Sequence, residues 1–152
     1  MSGVNFLEMD KKKLRFIWAI LGVLIIIISI ISEHAHKTNL FLILQYSLKC
    51  VFFIIITSSI LKQISSTYEV TNDIIMGSFC GYVLLGIISY FLFMLIDITM
   101  LNSFSGLSEV VTIRANQLFY FTFTCLTTLG MGDILPANII TQRVSIITAI
   151  IG

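Results

Sequence analysis

The sequence predicts an all-α polytopic membrane protein, with apolar helices that cross a bilayer and one short re-entrant helix that enters without crossing. Three observations predict it. Hydrophobic residues make up 57% of the 152 residues and charged residues only 11%, whereas a soluble domain carries about 25% charged residues. Three apolar runs each approach or exceed the ~20 residues that a helix needs to cross hydrocarbon. A fourth, residues 118–129, is about 12 residues long, too short to span, and it stops at Gly130-Met-Gly132. Mean hydropathy is +1.02. A water-facing surface cannot be covered from this composition, which excludes a soluble enzyme and a disordered chain. The net charge of +1 leaves no basic excess for nucleic acid.

Residues 1–13 end in Lys11, Lys12 and Lys13, with Arg15 just beyond, and this basic cluster places the amino terminus in the cytoplasm. The first run, 14–32, has an apolar core longer than the roughly 7–15 residues of a signal peptide. No A-x-A site comes after it, so it reads as an uncleaved span. The second run, 40–61, is interrupted only by Lys49. With the first it forms a two-helix membrane segment, 14–61. The loop 33–39 then lies outside, the loop 62–73 inside, and residue 99 onward outside. The third run, 74–96, carries no charge and opens a second module, 74–152. Isoleucine-rich, β-branched runs would suggest strands in water. In lipid each backbone must satisfy itself internally, which makes them helices.

Several side chains along these runs receive structural readings. Cys50, Cys80 and Cys125 lie far apart without a CxxC pair and read as small packing residues. Lys49 is expected to pair with a polar group inside the bundle, alongside Gln45. A voltage sensor would need several basic residues at three-residue spacing. Gly77 and Gly81 form GxxxG, which permits close helix packing. His34 and His36 beside Glu33, and the charges Asp97 and Glu109, read as solvated. Tyr68 and Glu69 suggest nothing specific. No nucleophile sits with a base, and there is no phosphate loop or histidine–carboxylate metal set. The chain therefore reads as a non-enzyme without a cofactor.

The segment 97–116 is polar and turn-like. It leads into Gln117-Leu-Phe-Tyr-Phe-Thr-Phe-Thr-Cys-Leu-Thr-Thr-Leu-Gly-Met-Gly-Asp-Ile-Leu-Pro136. Phe119, Tyr120, Phe121 and Phe123 crowd its start, and aromatic rings favour the membrane interface. Thr122, Thr124, Thr127 and Thr128 alternate with them. The glycines at 130 and 132 permit dihedrals forbidden to other residues. Alternated with ordinary residues, they can point successive carbonyls to one side. Such a row can replace the hydration shell of a monovalent cation. The short helix aims its carboxyl end, about half a negative charge, at the same place. The Thr128 hydroxyl can add one more oxygen.

The run Tyr120-Phe-Thr-Phe-Thr-Cys-Leu-Thr-Thr-Leu-Gly-Met-Gly-Asp-Ile-Leu-Pro136 resembles the pore loop of tetrameric potassium channels. The closest resemblance is to the bacterial group in which two extra helices precede a two-helix pore module. A bare TxGxG is a weak signal, but TTxGxGD after an aromatic-rich short helix, with proline three residues on, is a strong one. The resemblance implies an outer helix at 74–96, a pore helix and filter at 117–133, and the start of an inner helix at 143–152. It implies ion-binding carbonyls on Thr128, Leu129, Gly130 and Met131, where potassium would bind, and an outer mouth at Gly132. Thr127 would end the pore helix and Thr124 would support the filter. Tyr120 and Phe121 would form an aromatic cuff, and Asp133 would sit behind the filter, bonded to the pore helix. The resemblance also implies a homotetramer in a bacterial inner membrane that conducts potassium passively.

Two departures bear on that implication. Met131 stands where the family has a tyrosine whose hydroxyl holds the filter at fixed width. Methionine packs but cannot make that bond, so conduction of monovalent cations is retained while strict potassium selectivity is weakened. The inner helix from Arg143 to Gly152 would rise only about 15 Å, half the hydrocarbon thickness. This predicts either a longer inner helix than the sequence contains or, as the alternative, a non-conducting truncated or regulatory subunit.

Overall fold

The computed structural model describes residues 39–65 and 72–152. The first predicted span, the outer-loop histidines and the centre of the inner loop, with Tyr68 and Glu69, lie outside these residues. Among the described residues the chain is mostly helical. It runs α1 (Asn39–Ser65), α2 (Asn72–Thr99), β1 (Phe104–Ser105), α3 (Val111–Leu126), β2 (Leu135–Pro136) and α4 (Ile139–Ile151). Despite their β-branched composition, the second and third predicted runs are helices.

Helices α1 and α2 are long and apolar enough to cross a membrane. Only 17% and 28% of their most apolar stretches are buried by the rest of the protein. A soluble core helix would be mostly covered. Their hydroxyls turn inward on the helix: Ser58 donates to the Ile54 carbonyl at 2.7 Å, Ser59 to Ile55 at 3.0 Å and Ser78 to Ile74 at 2.9 Å. Such i−4 bonds satisfy polar groups without a neighbour. Lys62 in the last turn of α1 suits the negative end of the helix dipole.

Helix α1 lies along α2. The Gly77 and Gly81 faces meet Ile64 and Leu61 of α1, so GxxxG serves packing within the chain. Tyr46 and Phe53 of α1 reach Phe91 of α2, with ring centroids 6.2 and 5.4 Å apart. Lys49 holds its ammonium 5.1 Å from the Tyr46 ring centre, a cation–π distance. Of the cysteines, Cys50 is buried as expected, Cys125 half-buried and Cys80 exposed.

The core lies where α2, α3 and the chain after α3 meet. Phe93, Phe104 and Phe121 form an edge-on triad with centroids 5.2–5.7 Å apart. Each such contact contributes about 0.5–1.5 kcal/mol beyond its area. Met94, Leu118 and Ile134 complete it. Strands β1 and β2 pair antiparallel, Phe104 opposite Pro136 and Ser105 opposite Leu135. This two-residue ladder was not expected from the sequence.

The two long helices extend a few residues past their predicted runs, and three boundaries around the loop also differ from expectation. The short helix begins at Val111 rather than 117, so part of the segment read as turn-like is helical. It ends at Leu126, before Leu129. The last helix begins at Ile139 rather than 143, because Asn138 caps it. The Asn138 side chain accepts from the Thr141 amide at 2.8 Å, and the Thr141 hydroxyl accepts from the Asn138 amide at 3.2 Å. This is a reciprocal capping box.

Two glycines on α2 should respond differently to a methyl group. A Cβ at Gly86 would lie 2.8 Å from the Phe123 ring, whereas one at Gly77 would find ordinary contact at 3.7 Å. Gly86→Ala is expected to cost about 1–3 kcal/mol by overpacking. Gly77→Ala is expected to be neutral or to stabilise by up to ~1 kcal/mol through helix propensity. Unfolding in detergent measures both, and equal effects would contradict the packing.

Candidate functional site

The last turn of a helix leaves four carbonyls without intrahelical partners. Here each finds one or is closely covered. The Phe123 carbonyl accepts from the Thr127 amide at 3.0 Å and from its hydroxyl at 2.7 Å. The Thr124 carbonyl accepts from the Gly130 amide at 3.2 Å, and the Cys125 carbonyl from the Thr128 amide at 3.0 Å. The Leu126 carbonyl receives the Tyr82 hydroxyl at 3.4 Å and is covered by Gly152, where no side chain would fit. One step further, the Thr127 carbonyl accepts from the Thr128 hydroxyl at 2.7 Å.

The series stops there. The carbonyls of residues 128–132 accept no hydrogen bond from any described residue. In the same stretch the backbone changes hand at every second residue: φ is +57° at Thr128, +52° at Gly130 and +81° at Gly132. Left- and right-handed residues in alternation turn successive carbonyls toward one side, whereas an extended strand turns them to opposite sides. Glycine takes positive φ without steric cost. Thr128 does not: a β-branched residue there is strained.

The loop is fixed at both ends and open in the middle. Its start hangs on the Gly130-to-Thr124 bond. Its end is anchored by Ile134 in the core and by β2. The Asp133 carbonyl presses against Gly106, leaving no room for a Cβ. Between these anchors Leu129 and Met131 are each 64% exposed, and a Cβ at Gly130 or Gly132 would meet nothing within 4 Å.

The other site residues expected from the sequence lie on α3 or just after the loop. Tyr120 is exposed and lies close enough to Asp133 to feel its charge. Phe121 is buried against Phe93 and Phe104, on the side of α3 that faces α2. Thr124 is buried, with its hydroxyl on the Phe121 carbonyl at 2.8 Å and its own carbonyl on the loop. Thr127 is the C-cap of α3. Among the described residues no cluster of three His, Cys, Asp or Glu could hold a metal.

Three residues that hold the helix ends around the loop had no such role in the sequence reading. Gln117 accepts from the Ser108 amide at 2.7 Å. Asp97, expected to be solvated, is half-buried in an ion pair with Arg114. Asn138 had a local signal: Asn with Thr three residues later, before an apolar run.

The strained Thr128 yields a test. Thr128→Gly removes the cost of positive φ on a β-branched residue and is expected to leave stability unchanged or raise it by about 1 kcal/mol. A loss of more than that in detergent unfolding would contradict the left-handed backbone at this position. The chain matches no family model, no curated protein and no solved structure.

Proposed function

We propose that the chain is a subunit of a monovalent-cation channel of the potassium-channel type, a multi-pass membrane protein assembled as a homotetramer around residues 128–132. The observation that carries this reading is the handover at Thr127. Up to that residue each carbonyl at the end of α3 is engaged, and beyond it five successive carbonyls are free of the described protein while the backbone alternates in hand. A row of neutral oxygens suits a monovalent cation: it supplies a hydration-like shell without a fixed charge that would bind too tightly for passage. The carboxyl end of α3, about half a negative charge, adds a field of the right sign.

In this reading α3 is the pore helix, Thr128, Leu129, Gly130 and Met131 offer the binding carbonyls, and Gly132 forms the mouth. One chain supplies one row, which cannot surround an ion, so four copies are required. The exposed apolar side chains of Leu129 and Met131, and of Ile139, Ile140, Ile146, Ile147 and Ile150 on α4, favour burial by further copies or lipid. The Tyr120–Asp133 contact supports the loop from behind. The apolar, mostly uncovered α1 and α2 favour a bilayer. Conduction is passive, by dehydration in the loop, single-file occupancy and repulsion between ions. Met131 makes selectivity among monovalent cations weak.

The test is reconstitution in liposomes with potassium and sodium gradients. The expected result is a reversal potential set by monovalent cations, with potassium at least as permeant as sodium. Gly130→Ala is expected to abolish the current, because its Cβ meets no neighbour but a positive φ costs Ala about 1–2 kcal/mol. No cation current from assembled protein, or a current indifferent to Gly130→Ala, would contradict the proposal.

A further inference from the structure

An ion pair lies far from the loop, at the opposite end of α3. The Arg114 Nε donates to Asp97 Oδ2 at 2.6 Å and Nη2 donates to Asp97 Oδ1 at 2.6 Å. Two parallel bonds of this kind fix orientation as well as distance. The Asp97 side chain is 8% exposed. The remaining Arg114 nitrogen, Nη1, donates to the Ser108 carbonyl at 3.4 Å, which ties the connecting chain to the same group.

Both charges stand against the electrostatics of their own helices. Asp97 lies in the last turn of α2, where free carbonyls are already negative, and Arg114 is the fourth residue of α3, where free amides are already positive. Opposite signs would favour both helix ends. What offsets this at the start of α3 lies outside the helix: Glu109 precedes the N-cap, and the Val110 amide donates to the Ser108 hydroxyl at 3.2 Å. The N-cap, Val110, makes no side-chain cap bond, and the first turn holds no acidic residue. Helix stability therefore does not explain the pair. Geometry does: it joins the end of α2 to the first turn of α3.

We infer that Asp97 and Arg114 are positioning residues that fix the start of α3 and, through that stiff helix, the aim of the loop at its other end. The transmission is direct. The Thr124 carbonyl near the far end of α3 holds the Gly130 amide, so tilting α3 displaces the loop. The effect on ions rests on the proposed cation path; the hold on α3 does not.

The experiment compares Asp97→Asn, Arg114→Gln and the double swap Asp97→Arg with Arg114→Asp in the full chain reconstituted in lipid. The swap restores opposite charges and gives both helix ends their favourable sign. Amide hydrogen exchange over residues 111–117 is expected to rise roughly tenfold in each single variant and to return to the wild-type rate in the swap. The potassium-to-sodium permeability ratio, which does not depend on how much protein inserts, is expected to shift about threefold in the single variants and to recover in the swap. Unchanged exchange in both single variants overturns the inference. Faster exchange with an unchanged ratio overturns the link from α3 to the loop. A wild-type protein that passes no cations contradicts the proposed function instead, and the exchange comparison then decides the pair's role alone.

Discussion

A helix that ends inside a protein must place its final carbonyls, and the way α3 does so governs the shape of the loop beyond it. Thr127 and Thr128 spend their amides and hydroxyls on the carbonyls of Phe123, Cys125 and Thr127, and Gly130 reaches back to Thr124. With those donors spent on the helix, the next carbonyls are left for something other than the chain's own backbone. The left-handed turns at Thr128 and Gly130 have the same origin, because their amides fold back onto the carbonyls of Cys125 and Thr124, and Gly132 continues the alternation.

That arrangement is only as firm as the seat of α3. Leu118, Phe121 and Leu126 are buried along one side of the helix, with Phe121 held in the aromatic triad. Gly86 lets the Phe123 ring approach α2 closely. Ser103, buried in the turn after α2, gathers the other side: its carbonyl accepts from the Ala137 amide at 2.9 Å and from the Thr141 hydroxyl at 3.1 Å. The chain before α3 and the chain after the loop are thus joined to one support. Loop, α3 and α4 share a frame made by the end of α2, and the ion pair of Asp97 and Arg114 belongs to it.

The long apolar runs at 40–61 and 74–96 were legible because hydrophobic length leaves few choices for a backbone in lipid. The end of α3 was legible in kind, since Gly130 and Gly132 forbid a comfortable helix; the apolar run alone ends three residues late, at Leu129, whereas the resemblance puts the end at Thr127, the C-cap. Thr127 and Thr128 hydroxyls capture carbonyls that propensity alone would leave in the helix. The start of α3 was hidden for a different reason. Residues 111–116 follow a turn-rich stretch and lack a side-chain cap, and the group that holds Arg114, Asp97, lies 17 positions away. The Asn138 cap and the β1–β2 ladder escape a reading by periodicity, because a two-residue pair has no period and a cap is a single side chain. The expected aromatic cuff joins two residues that α3 turns apart: Tyr120 reaches Asp133, while Phe121 faces the core.

The proposed channel stands on the main-chain oxygens of residues 128–131 gathering around a monovalent cation. Anomalous scattering from rubidium in crystals of the assembled protein tests this most directly. Rubidium is expected on a fourfold axis, ringed by carbonyl oxygens of Thr128, Leu129, Gly130 and Met131 from each copy. Rubidium absent from that axis, with those carbonyls turned away from one another or enclosed in a monomer, would contradict it.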